Sequence, residues 1–190
     1  MSKRIFDLIC TFIILIFSAP LVLFIAIWIR VTSPGPIIFR QTRIGYRGKS
    51  FVIFKFRTMK DGSGHPLDMV LSGDNRITVP GKFLRETHID ELPQLINVLL
   101  GQMSLVGPRP HQVEFVEKGI QEIPEYALRL NNVRPGLTGL EQIHGRMWSL
   151  KRGIRCVFRL ESFYINHHCF LLDLYILSRT VKTVLGRNGL

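Results

Sequence analysis

Leu8-Ile9-Cys10-Thr11-Phe12-Ile13-Ile14-Leu15-Ile16-Phe17-Ser18-Ala19-Pro20-Leu21-Val22-Leu23-Phe24-Ile25-Ala26-Ile27-Trp28-Ile29 carries no charge, while Lys3 and Arg4 stand before it and Arg30 after it. A helix of this length reaches across the hydrocarbon core of a bilayer. The run is too long for the apolar part of a signal peptide, and no small-residue cleavage site follows it. Pro20, near the middle, removes one backbone hydrogen bond and crowds the preceding turn, so a kink is expected there. Two topologies fit: a straight span with a tolerated kink, or a re-entrant helix that enters and leaves on one face with Ser18 and Pro20 at its break. Taken alone, the residues favour the span.

Ser33-Pro34-Gly35-Pro36 breaks the chain just after this segment. The organisation expected is therefore a membrane-anchoring helix, 1–32, followed by one α/β domain, 33–190, long enough to bury its own core. The formal net charge of +11 over 190 residues suits anionic partners: phospholipid headgroups, nucleotide phosphates or nucleic acid. Three scattered cysteines, Cys10, Cys156 and Cys169, imply no disulfide framework. His167-His168-Cys169 has no second ligand cluster to make a zinc site. No Gly-x-Gly-x-x-Gly and no phosphate loop of the Gly-x-x-x-x-Gly-Lys type is present, which leaves Rossmann and Walker nucleotide sites unsupported.

Ile37–Arg40 and Ser50–Phe56 are β-branched and aromatic runs around Gly45-Tyr46-Arg47-Gly48, the pattern of a short hairpin. Its second arm runs into Lys55-Phe56-Arg57, where two cations on one face would grip a diphosphate or form a solvated edge. Residues 61–75 are rich in Gly, Asp and Ser and read as a loop. In Thr87-His88-Ile89-Asp90-Glu91-Leu92-Pro93-Gln94-Leu95-Ile96-Asn97-Val98-Leu99, two adjacent acids precede a proline suited to a first turn. Leu92, Leu95, Ile96 and Leu99 then recur at helical spacing. Asp90 and Glu91 are thus expected at a helix N-terminus, where the dipole favours an ionised carboxylate able to act as nucleophile or metal ligand. Simple capping by Asp90 is the competing reading.

Pro108 and Pro110 brace Arg109, which would hold its guanidinium for bidentate phosphate binding or for pairing with a carboxylate. Arg146, after Gly145, is a further candidate phosphate ligand. Residues 111–132 form a broken amphipathic region interrupted at Gly119 and Pro124, and 133–139 form a turn-rich connector. In the tail, Leu171, Leu174, Tyr175, Leu177, Val181, Val184 and Leu185 share one side of a helix, for core packing or for lying in a membrane interface.

These motifs together resemble one family, the small monotopic phosphoglycosyl transferases among the bacterial sugar transferases. The markers are Lys3-Arg4 with Asp7, Gly35-Pro36-Ile37-Ile38-Phe39-Arg40-Gln41 with Arg43-Ile44-Gly45, Lys55-Phe56-Arg57-Thr58-Met59, Leu84-Arg85 with Asp90-Glu91-Leu92-Pro93-Gln94, Met103 to Pro110, and Arg134-Pro135-Gly136 with Gly145-Arg146. The resemblance covers nearly the whole length. It implies transfer of a sugar phosphate from a UDP-sugar to polyprenol (undecaprenyl) phosphate, with release of UMP, as the first step of a membrane-linked glycan. It casts Asp90 as the nucleophile of a covalent intermediate, with Glu91 assisting and Mg²⁺ as cofactor held by Asp90 and Glu91. It also implies a re-entrant helix, against the straight span, with the catalytic domain on the cytoplasmic face of the bacterial inner membrane among membrane lipid. Ala19 stands where the family has the serine of a Ser-Pro break, the serine being Ser18 here. Glu161-Ser162-Phe163-Tyr164 and His167-His168-Cys169 also depart from the family pattern.

Lys55, Arg57, Arg109 and Arg146 are the candidate phosphate contacts. Interfacial amphipathic helices complete the expected fold. Nucleic acid is not an expected partner; homo-oligomerisation, the identity of the sugar and the downstream glycan are left open. The rival of a different class is a membrane-anchored basic module that binds lipid or nucleic acid without chemistry, for which Asp90 and Glu91 would be dispensable. A phosphohydrolase would share the nucleophile and pass the intermediate to water.

Overall fold

In a computed structural model, which describes residues 3–60, 74–124, 126, 132–144 and 153–185, the apolar run forms a single helix, α1 (Lys3–Thr32), continuous through Pro20. Proline removes only one rung of the hydrogen-bond ladder, and the flanking rungs carry the helix past it. The Ser18 hydroxyl donates back to the Leu15 carbonyl at 3.4 Å, a bond within the helix. The interruption expected at Ser18–Pro20 is therefore absent as a break in the element.

One stripe of α1 faces the rest of the protein and the opposite stripe faces outward. Asp7, Thr11, Ile25 and Ile29 are buried, and Cys10, Leu15 and Val22 pack against the two hydrophobic clusters. Phe17 and Val31 are about four-fifths exposed, at 81% and 79%, with Phe12, Ile16, Leu23 and Phe24 beside them. Both ends of the helix are fastened to the same domain. At the N-terminal end, Lys3 Nζ meets Asp173 Oδ2 at 2.6 Å, Arg4 donates to the Leu99 carbonyl, and buried Asp7 accepts from Ser104 Oγ at 2.7 Å and from the Leu105 N–H at 3.3 Å. At the other end Ile25 and Ile29 share a cluster with Phe56 and Leu84, and Trp28 lies 5.9 Å from the Phe83 ring.

The hairpin forms as expected: β1 (Ile38–Ile44) pairs antiparallel with β2 (Ser50–Phe56), Ile38 opposite Phe56 and Ile44 opposite Ser50. Arg47 turns the corner in the left-handed region, φ 56°. α2 (Val79–Glu86) is capped by Thr78, whose hydroxyl accepts from the Gly81 N–H. Gly81 is required there, since a Cβ would sit 2.0 Å from the Thr58 carbonyl oxygen. A 3₁₀ turn (Ile89–Gln94) leads into the short α3 (Leu95–Leu99).

Buried Asn97 joins α3 to the hairpin. Its Oδ1 accepts from the Phe54 N–H and its Nδ2 donates to the Val52 carbonyl, which supplies the edge of β2 with the partners a third strand would give.

β3 (Ser104–Val106) and β4 (Gly136–Thr138) pair in parallel; β4 lies in the segment that reads as a turn-rich connector, and β3 carries no strand signal in the sequence. Three residues are too few for a periodicity signal, and both strands are buried. α4 (Val113–Glu122) runs through Gly119, which is buried in it, and ends before Pro124, so only the proline interrupts as expected. α5 (Leu140–Ile143) is followed by α6 (Ile154–His167) and α7 (Phe170–Leu185). On α7 the buried residues are Asp173 and Ile176, with Leu172 and Leu177 packed against the core. Leu171, Leu174, Tyr175 and Val181, on the apolar side read from the sequence, face outward. The principal core gathers Phe51, Ile53, Leu95, Val98, Met103, Leu105, Val106, Leu140, Tyr164 and Ile176.

Candidate active site

Four elements bring charged side chains together. β2 supplies Lys55, the 3₁₀ turn supplies Asp90 and Glu91, α2 supplies Arg85, and the segment after β3 supplies Arg109. That last segment is placed by close backbone contact. The Gly107 N–H donates to the Thr138 carbonyl and the Gly136 N–H to the Pro108 carbonyl, at 2.9 and 2.8 Å. A Cβ on Gly136 would lie 2.1 Å from the Gly107 nitrogen, and one on Gly107 2.4 Å from the Arg134 carbonyl oxygen. Only glycine lets the two backbones cross so closely, and the crossing is what fixes Arg109.

The two adjacent acids are treated differently. Glu91 Oε1 accepts from Lys55 Nζ at 2.5 Å and from Arg109 Nη2 at 3.2 Å. Burial opposes its ionisation, but the charges of Lys55 and Arg109 outweigh that penalty and hold its carboxyl well below the usual range. Asp90 has no hydrogen-bond or ion-pair partner among the described residues. Burial, reinforced by the negative charge of Glu91, pushes it up to about 6 against the opposing charges of Lys55, Arg85 and Arg109. The helix-terminus effect expected from the sequence does not decide its state, because α3 starts only at Leu95 and the residue capping the preceding turn is His88, in the left-handed region at φ 57°. With a pKa near 6, about nine-tenths of Asp90 is ionised at neutral pH.

A shallow cleft opens beside Glu91, lined in part by Arg43, Lys55, Glu91, Arg109 and Gln142. Of the four sequence-derived phosphate contacts, the fold brings Lys55 and Arg109 together on Glu91. Arg57 is placed elsewhere. It is buried, and its guanidinium donates to the carbonyls of Ser33 and Pro34 at 2.7 and 2.6 Å, tying the end of α1 to the domain. Lys55 and Arg57 thus engage different partners, Lys55 the Glu91 carboxylate and Arg57, just past the end of β2 at Phe56, backbone carbonyls. Arg146 lies outside the described residues.

Arg85 appears in the sequence reading only within the Leu84-Arg85 marker, with no role at the site. Its Nε donates to Thr58 Oγ1 at 2.8 Å, its charge acts on Asp90, and its two terminal nitrogens have no partner among the described residues. The available signal was its place one helical turn before the acids, in α2.

The donor set suits a hard divalent cation. Both oxygens of Asp90 and Oε2 of Glu91 are carboxylate oxygens unengaged by any described residue, the ligand type Mg²⁺ takes.

Comparison with known proteins agrees with the reading of the motifs. A family model described as "Bacterial sugar transferase" matches residues 1–187. The chain is 40% identical to "Exopolysaccharide production protein PSS" of Rhizobium leguminosarum bv. phaseoli, over 98% of this chain and 96% of that protein. It is 42% identical to "UDP-glucose:undecaprenyl-phosphate glucose-1-phosphate transferase" of Caulobacter vibrioides, over 100% of this chain and 72% of that one. A protein of the same name from Escherichia coli is 46% identical over 94% of this chain, which spans only 39% of its length.

Proposed function

The chain belongs to the bacterial sugar transferase family, and from that premise we propose that it transfers a sugar 1-phosphate from a UDP-sugar to undecaprenyl phosphate through a covalent intermediate on Asp90. The observation that carries the reading is the contrast within the acidic pair. Glu91 is held on one oxygen by Lys55 and Arg109, while Asp90, half-buried beside three cations, keeps both oxygens unengaged among the described residues. A nucleophile needs that exposure of its lone pairs, and a structural carboxylate does not.

In the first step an Asp90 oxygen attacks the sugar-linked phosphorus of the donor, and the bond to the bridging oxygen breaks. UMP leaves, and the sugar phosphate is held as an acyl phosphate. In the second step a phosphate oxygen of the lipid acceptor attacks the same phosphorus and returns the carboxylate of Asp90. No proton need be removed from Asp90 at neutral pH. The division into two steps lets a soluble donor and a lipid acceptor use one site in turn. Lys55, Arg85 and Arg109 neutralise the phosphate charge as it shifts, with Arg109 offering a planar fork; Arg146 remains a further candidate contact. Mg²⁺, held by Asp90 and Glu91, would supply additional neutralisation of the diphosphate.

The placement of α1 supports a re-entrant topology; the cytoplasmic face of a bacterial inner membrane is proposed from the family resemblance. A spanning helix would carry one of its ends away from the domain by the thickness of the bilayer, whereas Lys3, Arg4 and Asp7 at one end and Ile25 and Ile29 at the other all contact it. The outward residues of α1, with Leu171, Tyr175 and Val181 of α7, form the apolar surface such a placement needs.

Purified protein is incubated with Mg²⁺ and each of a panel of labelled UDP-sugars, without lipid. One sugar should give stoichiometric UMP and label on the peptide containing Asp90, and undecaprenyl phosphate should then discharge it. Lipid-dependent turnover that never labels the protein would replace the covalent relay with direct transfer.

A further inference from the structure

On the far side of Arg109 from the acidic pair lies a second carboxylate that the reaction above does not use. Glu161, on α6, is buried, with its side chain only 2% exposed. Its Oε1 lies 3.2 Å from the backbone nitrogen of Arg109 and 3.2 Å from Nε2 of His111. A carboxylate only accepts, so the Arg109 N–H and a proton on His111 Nε2 both donate to this one oxygen. Between the two donors stands Pro110, which has no N–H of its own and a fixed φ. One oxygen thus pins both ends of a tripeptide whose middle is already stiff. The His111 ring stacks on Phe115 with centroids 4.4 Å apart, and its carbonyl accepts from the Ile44 N–H at 3.1 Å.

Because the transfer reading makes the Arg109 fork act on the donor phosphate, and resting on that reading, we propose that Glu161 is a positioning residue: it clamps Arg109-Pro110-His111 so that the guanidinium is presented to Glu91 and the substrate. The glycine crossing fixes the path of the segment on its Gly107 side, and Glu161 fixes it after Arg109. Without that second point the segment keeps its ties at the Pro110 and His111 carbonyls but the Arg109 N–H is released, and a displacement of about 1 Å at a phosphate ligand costs on the order of a hundredfold. Glu141, whose charge also acts on Arg109, and the Glu91 bond retain part of the alignment, which sets a smaller expected loss.

A double-substitution cycle tests the clamp. Glu161→Gln keeps the size of the side chain and one acceptor oxygen but loses the charge that strengthens both bonds. It should lower kcat/KM for the UDP-sugar in the adduct-forming step by about tenfold. In an Arg109→Ala background the same change should cost less than about twofold, because the residue it positions is gone. An equal loss in both backgrounds overturns the proposal, since a merely structural carboxylate would act independently of Arg109. If Glu161→Gln does not fold, His111→Phe keeps the ring packing and removes one of the donors; the same non-additivity is expected, with additivity overturning it. Amide hydrogen exchange of Arg109 should quicken in Glu161→Gln, and unchanged exchange also overturns the clamp. That readout needs no activity, so it stands if no UDP-sugar labels the wild type, a result that would sink the transfer reading instead.

Discussion

Arg109 stands between two acidic neighbourhoods built on opposite plans. Toward the cleft, Glu91 takes its guanidinium while Asp90, one residue away, has no partner among the described residues. Toward the interior, Glu161 takes its backbone N–H and the His111 ring on a single oxygen, sealed among α6, Phe115 and Tyr126. The first neighbourhood keeps unsatisfied acceptor capacity near solvent and the second spends it. Reactivity needs a carboxylate with unengaged oxygens, and rigidity needs one whose oxygen is engaged by the groups it holds. The protein places both against the same arginine.

The strongest way to break this comparison is to remove the underused acid. Asp90→Asn keeps the shape and should lower adduct formation on the order of a thousandfold or more, against tenfold for Glu161→Gln. Comparable losses at the two positions would erase the distinction. The next effect is at the backbone crossing that both neighbourhoods depend on. Gly136→Ala drives a Cβ to 2.1 Å from the Gly107 nitrogen, where only backbone can yield, and should cost about 3 kcal/mol of stability, read from denaturant unfolding. Retention of wild-type stability would mean that the crossing is loose and cannot be what aims Arg109.

Arg109→Lys retains a charge for Glu91 and loses the planar fork, so turnover should fall by about 2 kcal/mol of transition-state stabilisation, with little change in stability. Unchanged turnover would make Arg109 a partner of Glu91 and nothing more. The smallest effect is that of pH. With Asp90 raised to about 6, the ionised fraction and hence the adduct-forming rate should rise about tenfold between pH 5 and pH 7 and then level. The stability sign is opposite. A folded pKa above the unfolded 3.8 means the native state binds more protons between those values, so stability falls as pH rises from about 4 to 6. Asp90→Asn should therefore raise the melting temperature at pH 7 and leave it unchanged near pH 3. A higher melting temperature at both pH values would locate the gain in packing instead of charge.

The elements legible in the sequence were those with a strong local signal. Twenty-two uncharged positions, two β-branched runs around a glycine turn, and an acidic pair before a proline were enough for α1, the hairpin and the Asp90–Glu91 turn. Lys55 and Arg109, which the sequence marks as candidate phosphate contacts, both lie on Glu91 in the fold. The parallel pair β3–β4 was not legible, because three-residue strands carry no period and their pairing joins segments about thirty residues apart. Nor was the outward face of α7. A helix with apolar residues on two sides does not say which side a core will claim, and here Asp173 is taken inside by Lys3 and Tyr164 while Leu171 is left out.

The sequence by itself determined the inventory: one apolar segment, a basic domain, and adjacent carboxylates among arginines in the order that marks the family. Tertiary structure alone decided how those charges divide their work. Arg57 and Arg109 are both arginines close to an apolar strand end, yet one is spent on the carbonyls of Ser33 and Pro34 and the other reaches Glu91. Asp90 and Glu91 are neighbours in the chain, and the positions of Lys55 and Arg109 give the two different surroundings. The physical reason is that a charge in a partly buried site is governed by what lies within a few ångströms of it, and those neighbours come from distant parts of the chain.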